Sequence, residues 1–274
     1  MTPLVPRNDI RDALGRTHEI ETPPRSIVSL VPSLTEALFA FGLGDRVSGV
    51  TRFCVEPAEG VADKPKIGGT KNVDVAQVAS LFPDLVLANV EENTQPDVEA
   101  LEAAGLRVFL TYACTVFEAI QELRAIAAIT GSEEAARPVI DDAQSALNEA
   151  HAANAKRRAI RTFCPIWRNP WMTIGPDTYI HDVLRVCGAA NVFADSLDRY
   201  PVFDLAEVAA RRPEIVLLPD EPYRFGQKHA PEVIEKLPGA RIYCLDGKML
   251  CWYGPRIAES LRQLQRIIHQ EPGV

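Results

Sequence analysis

The chain has 274 residues, of which 47% are hydrophobic and 24% charged, and its formal net charge is −8 at pH 7. This length is enough for two small domains with cores of their own, and the acidity argues against nucleic acid or anionic membranes as partners, because both attract a basic face. No basic segment followed by an apolar one opens the chain, and no apolar stretch approaches the roughly 20 residues that span a bilayer, so we expect neither a secretory signal nor a membrane span.

The first half of the chain alternates strand and helix patterns. A strand at 25–32 leads into a helix that ends at Gly42, with a small polar residue, Ser33, expected to cap it. Further predicted elements are a short strand at 47–50, a helix and a buried strand within 73–87, a helix near 95–104 and a strand at 106–110.

Two consecutive helices are predicted in the middle of the chain. The first covers about 116–130 and ends at Gly131, and the second runs from the N-cap Ser132 to about Arg158. The second helix has no glycine and keeps an apolar stripe, whereas flexible linkers are rich in Gly and Ser. We therefore expect a stiff helical connection between two halves.

An internal duplication relates these halves. Residues 73–87 (VDVAQVASLFPDLVL) and 203–217 (FDLAEVAARRPEIVL) are identical at seven of fifteen positions, at an offset of 130 residues. Each copy predicts a short helix that ends at Pro83 or Pro213 and then a strand buried on both faces. A weaker correspondence pairs the strand and helix at 25–42 with a strand at 170–176 and a helix at 177–188.

The predicted fold is thus α/β, with an N-terminal lobe at 1–130, a linking helix at 131–158 and a C-terminal lobe at 159–274. Ligands of such sheets bind at the carboxyl ends of the strands, so we expect a ligand cleft between the lobes. Asn89, Glu91 and Glu92 follow the first repeated strand, and the offset of 130 places Glu221 at the position of Glu91. Facing acids could hold a metal, an amine or a basic neighbour, or could be solvated loop residues.

The sequence also resembles a known family over about residues 9–270. It is similar to the periplasmic binding proteins for cobalamin, haem and ferric siderophores, and most to the cobalamin-binding branch. The resemblance is carried by the segments 12–17, 24–36, 67–70, 83–86 and 186–193. Further segments resemble those of a subgroup described as helical-backbone metal receptors: 88–93 (ANVEEN), 167–171 (WRNPW), 221–225 (EPYRF) and 251–254 (CWYG).

This resemblance implies two Rossmann-like lobes joined by a long rigid helix. It implies a monomeric solute-binding protein, not an enzyme, that requires no cofactor and binds cobalamin or a similar metal chelate for ABC-type uptake. The family docks onto its permease through one glutamate per lobe, at positions occupied here by Ala76 and Ala206, so a permease partner depends on the neighbouring acids Asp74, Asp204 or Glu207.

An alternative is a cytosolic protein or enzyme of the same fold that handles a tetrapyrrole or cobamide without an importer. The expected cellular location also has two alternatives. We expect a cytoplasmic protein if the chain is complete, and a periplasmic or extracellular one if it is a mature fragment.

Aromatic residues are the first candidates for binding a flat chelate. Trp167, Trp171 and Trp252 fall in predicted strand-exit loops, with Tyr223 and Tyr253 in similar places. Rigid aromatic faces bind an apolar plate with little loss of side-chain entropy. The alternative is that these residues fill gaps in the core.

Four polar residues complete the predicted site. Arg168 could meet a carboxylate or phosphate and Asn169 the amides of a corrin, although Asn before Pro also favours a turn. Arg256 either reaches the ligand or pairs with a surface acid. His229 is a candidate axial metal ligand, against the alternative of a structural histidine.

Overall fold

The chain contains two four-stranded parallel sheets. The computed structural model describes residues 7–270. The two sheets belong to two compact units. The N-terminal unit comprises the residues up to Ala113, Glu118–Asp141 and Tyr253–Pro255; the C-terminal unit comprises Cys114–Phe117, Asp142–Trp252 and the residues from Arg256 onward. The limits predicted for the lobes, 1–130, 131–158 and 159–274, remain a prediction. Within residues 7–270, no helix combines the length and the apolar character needed to cross a membrane.

The elements of the N-terminal unit are β1 Arg7–Arg11, β2 Thr17–Ile20, β3 Ile27–Ser29, α1 Pro32–Ala40, β4 Val47–Val50, α2 Ala58–Val61, β5 Gly68–Gly69, β6 Asn72–Val73, α3 Val75–Ser80, β7 Leu85–Asn89, α4 Gln95–Ala103 and β8 Val108–Thr111. Its four-stranded sheet has the order β4-β3-β7-β8 and is preceded by a hairpin of β1 and β2. Two helices have residues in both units: α5 Val116–Thr130 and α6 Glu133–Asn154.

The elements of the C-terminal unit are β9 Ile160–Phe163, β10 Pro165–Trp167, β11 Met172–Thr173, α7 Tyr179–Val186, β12 Ala189–Asn191, α8 Leu205–Ala210, β13 Ile215–Pro219, α9 Ala230–Lys236, β14 Arg241–Leu245, α10 Lys248–Cys251 and α11 Ile257–His269. Its sheet has the corresponding order, β12-β9-β13-β14. Every residue of the central strands β7 and β13 is buried, which is why both read as continuous apolar runs.

The duplication is confirmed at the level of elements. Strand β13 begins and ends 130 residues after β7, and α8 does so after α3. The cap is repeated too: the carboxylates of Asp74 and Asp204 each accept a hydrogen bond, at 2.9 Å, from the backbone N–H three residues on. These features repeat because each depends on residues close in sequence.

The weaker correspondence is right for the helices and wrong for the strands: α7 lies between β9 and β12 as α1 lies between β3 and β4. The partner of β3 in the second sheet is β9, since each pairs in parallel with the central strand β7 or β13. The predicted strand at 170–176 is instead β11, which pairs antiparallel with β10 in an inserted hairpin. Ser33 does not cap α1, which begins at Pro32 without a side-chain cap. The linking helix α6 ends at Asn154, four residues before the predicted Arg158.

Candidate functional site

The inserted hairpin and the loop after β13 form an aromatic surface on the C-terminal unit, which we define as Trp167, Trp171 and Tyr223. Trp167 ends β10, is 43% exposed and meets the Tyr223 ring edge-on, with 5.5 Å between ring centroids. Tyr223 packs in turn on the buried Phe225, at 4.6 Å. An exposed indole that packs against a neighbouring ring offers a rigid aromatic surface on which a flat ligand can stack.

Trp171 has a different environment. Its indole stacks on Phe225 with an interplanar angle of 9° and 5.7 Å between centroids, and it lies 6.1 Å from Phe203. Phe203 and Phe225 belong to the hydrophobic core cluster of this unit, so Trp171 ties the hairpin to the core. Trp167 is the more accessible member of the aromatic surface.

Arg168 is held beside these rings by an ion pair that the sequence did not reveal. Its Nε and Nη2 donate to one carboxylate oxygen of Glu232 on α9, at 3.2 and 2.9 Å, and its guanidinium lies 5.7 Å from the Trp171 ring. The hydrogen bonds with Glu232 raise the pKa of Arg168. The charge is therefore compensated within the unit, which weakens the case for Arg168 as the main anion contact.

The neighbouring Asn169 is exposed and has φ of 65°. Asparagine tolerates this left-handed region better than most residues, so its identity is accounted for by the hairpin turn. A ligand contact by Asn169 remains a prediction.

His229 is buried beneath the aromatic surface. It is 6% exposed and contacts Tyr223 and Phe225 edge-on, at 5.7 and 5.4 Å. Its Nδ1 accepts a hydrogen bond from the Gly226 N–H at 3.1 Å, and burial lowers the pKa of the imidazole. Nδ1 is thus engaged in this conformation, and residues 7–270 contain no group of three or more His, Cys, Asp or Glu side chains placed to hold a metal. Coordination by His229 gains no support from this geometry.

Glu221 and Trp252 are joined by a hydrogen bond within the C-terminal unit. Trp252 follows the short helix α10 instead of a strand, is 6% exposed, and donates its indole N–H to a Glu221 carboxylate oxygen at 3.1 Å. The cations of Lys248 and Arg256 lie over the indole, at 5.2 and 5.3 Å. Burial raises the pKa of Glu221. Trp252 therefore positions charged neighbours, and the prediction that it stacks on a ligand fits its burial poorly.

Gly247 allows this arrangement. A Cβ at this position would lie 2.5 Å from the backbone N of Glu221 and 2.8 Å from its carbonyl oxygen. We expect Gly247→Ala to displace the Glu221 loop and to lower the free energy of unfolding by about 1–3 kcal/mol, as overpacking does. Chemical denaturation measures this, with Gly239→Ala, whose Cβ meets nothing within 4 Å, as the matched control. Equal stability of the two variants would contradict the expectation.

In the N-terminal unit, Asn89 organises the loop that carries Glu91 and Glu92. Asn89 is 1% exposed, and its Nδ2 donates to the carbonyl and hydroxyl oxygens of Thr111 at 2.9 and 3.0 Å. Its Oδ1 accepts the N–H groups of Glu91 and Glu92 at 2.8 and 3.0 Å. The nitrogen and the oxygen of the Asn89 amide each make two hydrogen bonds, so Asn89 positions the two half-buried acids. A direct ligand contact by Asn89 is not supported.

The loop is also tied to the β5–β6 hairpin. The Asn93 amide donates to the Thr70 carbonyl at 2.9 Å, and the Lys71 ammonium donates to the Glu91 carbonyl. Glu91 lies two residues after β7, and Glu221 lies two residues after β13. The two acids therefore occupy equivalent positions in the two repeats, as predicted. Tyr253 is 9% exposed and belongs to the N-terminal unit.

Several residues escaped the sequence analysis. Asn93 and Glu232 were missed because their roles depend on partners 23 and 64 positions away. Arg52 and Phe53 lie just beyond β4, where the rule that pointed to the other strand exits would have found them.

The acids considered for permease docking have other partners. Ala76 and Ala206 are exposed on α3 and α8, while Asp74 and Asp204 cap those helices. Glu207 lies 3.2 Å from Arg211.

Residues 27–241 match the family model described as periplasmic binding protein. The vitamin B12-binding protein of Vibrio cholerae serotype O1 is 24% identical over 71% of this chain and 70% of its own. The uncharacterized ABC transporter substrate-binding lipoprotein YvrC of Bacillus subtilis is 29% identical over 96% and 85%. The periplasmic heme-binding protein RhuT from Roseiflexus sp. RS-1 shares the fold, with a TM-score of 0.77, 22% identity, and coverage of 90% of this chain and 98% of its own.

Proposed function

This chain belongs to the periplasmic binding protein family, and on that basis we propose that it captures cobalamin or a related metal chelate. The observation that carries the proposal is the exposed Trp167 indole braced by Tyr223. A corrin or porphyrin presents a wide, largely apolar face, and stacking on a ring that is already held in place costs little side-chain entropy.

We propose recognition without chemical turnover, since the family consists of binding proteins. The ligand would be released unchanged, and no resident cofactor would be needed. The relatives named as periplasmic or as a substrate-binding lipoprotein support a place outside the cytoplasm and an ABC permease as partner.

The second candidate, a chelate-handling protein without an importer, is favoured by one observation. The positions expected to carry docking glutamates are Ala76 and Ala206, and the adjacent Asp74 and Asp204 are committed to helix caps. If the ligand-loaded protein pulls down a permease encoded by a neighbouring gene, the importer role is supported. If such a permease does not bind the ligand-loaded protein, the alternative is supported.

Calorimetric titration with cyanocobalamin, haemin and a ferric siderophore tests the binding proposal. We expect Trp167→Ala to weaken binding of the preferred ligand about 10–100-fold, as loss of an aromatic anchor does, with little change in melting temperature. Trp171→Ala differs in its effect on stability: because Trp171 packs on the core, we expect it to lower the free energy of unfolding by about 2–4 kcal/mol. Absence of saturable binding of all three ligands to the wild-type protein would refute the proposal.

A further inference from the structure

A cavity of about 580 Å³ lies at the amino ends of the strands in the N-terminal unit. Among its lining residues, Arg25 lies two positions before β3, Asp84 directly precedes β7 and Arg107 directly precedes β8. The loop that carries Glu91 follows β7, so the cavity is at the other end of the same sheet. Its volume is within the range that small-molecule sites occupy.

The backbone around this cavity is held by hydrogen bonds within the N-terminal unit. One oxygen of the Asp84 carboxylate, Oδ2, accepts the backbone N–H groups of Arg25 and Ser26 at 2.7 and 3.0 Å. The backbone carbonyl of Arg107 accepts the Val86 N–H at 2.8 Å. The segments that carry the two arginines are therefore fixed before any ligand arrives, which reduces the conformational entropy that binding costs.

Two acids and two arginines line the cavity, and the acids have partners inside the unit. Glu102 forms an ion pair with Arg16, and the Asp84 carboxylate accepts the two backbone N–H groups. Arg25 and Arg107 are exposed, and their guanidinium groups form no hydrogen bond or ion pair with residues 10–270, whose side chains the structure describes. The charge available to a ligand in this cavity is therefore positive.

The positions of the two arginines indicate the shape of the ligand. Strand β7 lies between β3 and β8, so the backbones of Arg25 and Arg107 are about two strand spacings apart, on the order of 10 Å. Each guanidinium can give two parallel N–H bonds to one carboxylate or phosphate. Two guanidinium groups on one cavity therefore suit a molecule with an acidic group at each end.

We propose that this cavity is a second binding site, which takes a small molecule with two carboxylate or phosphate groups. The site uses only residues of the N-terminal unit, and it does not depend on the chelate-binding function proposed above. Carboxylates and phosphates share the chemistry that a guanidinium recognises, so the experiment has one arm for each.

Calorimetric titration of the full chain with glutarate and with pyrophosphate tests this inference. Butyrate and methyl phosphate are the analogues with one acidic group. We expect saturable binding of at least one of the two probes, about 10-fold or more tighter than binding of its analogue. Arg25→Gln and Arg107→Gln should each weaken that binding about 10–100-fold, because each removes charge-assisted hydrogen bonds. The probe that binds more tightly identifies the acidic group.

Arg137→Gln is the matched control. Arg137 is exposed on α6 in the same unit and does not line the cavity, so this variant removes the same charge and should leave the affinity unchanged. All three variants should melt at the wild-type temperature, since exposed side chains without partners contribute little to stability. Absence of saturable binding of both probes, or an equal loss in Arg137→Gln, would overturn the inference. Neither result would affect the titrations with chelates.

Discussion

Replacing Asn89 by aspartate is expected to lower the free energy of unfolding by about 3–5 kcal/mol, because it buries a negative charge that is only partly hydrogen-bonded. The Asn89 amide donates both hydrogens to Thr111 and is 1% exposed. A carboxylate there would retain the bonds from Glu91 and Glu92 but would face the Thr111 carbonyl oxygen without a proton to share. The β7 exit loop should therefore loosen.

Equilibrium denaturation at pH 7 measures the loss, and Asn72→Asp is the control. Asn72 is exposed in the same unit, so the same chemical change should cost less than about 0.5 kcal/mol there. The Asn89 loss should shrink at acidic pH, because a protonated carboxyl group can again donate to Thr111. A loss below about 1 kcal/mol at pH 7 would show that Asn89 does not hold the loop.

The second large effect concerns the pH dependence of stability. Glu122 on α5 accepts a hydrogen bond from the Tyr112 N–H, and burial, with a smaller contribution from the Glu118 charge, raises the pKa of Glu122 to about 8. Between pH 4.5, the ordinary value, and pH 8 the folded protein holds a proton here that the unfolded chain has released. The stabilisation is therefore full below pH 4.5 and is lost as the pH rises through 8.

Glu122→Gln isolates this contribution, because glutamine stays neutral and can still accept the Tyr112 hydrogen bond. We expect the stability of the wild-type protein relative to this variant to fall by on the order of 3 kcal/mol between pH 4.5 and pH 8.5. Glu118→Gln should change the pH dependence much less, since burial is the larger cause. Parallel stability curves for wild type and Glu122→Gln would contradict the assignment.

The features predicted correctly from sequence are those set by neighbouring residues. Helix α5 begins and ends where the periodicity and Gly131 placed it, and α4 begins at the predicted Gln95. Local reasoning also placed the loops after β7 and β13, whereas a ligand contact by Trp167 stays a prediction. It also named Trp252 and Glu221 as candidates, but it did not indicate that their side chains are hydrogen-bonded to each other.

The sequence by itself determined the repeated α/β pattern, because helix caps, prolines that end helices and apolar strands act over a few residues and recur at an offset of 130. Only the tertiary structure decided which candidates face solvent and which are engaged. Arg168 meets Glu232 across 64 positions, and Trp252 meets Glu221 across 31. Pairings of this kind depend on how the chain folds back on itself, and spacing along the sequence does not encode them.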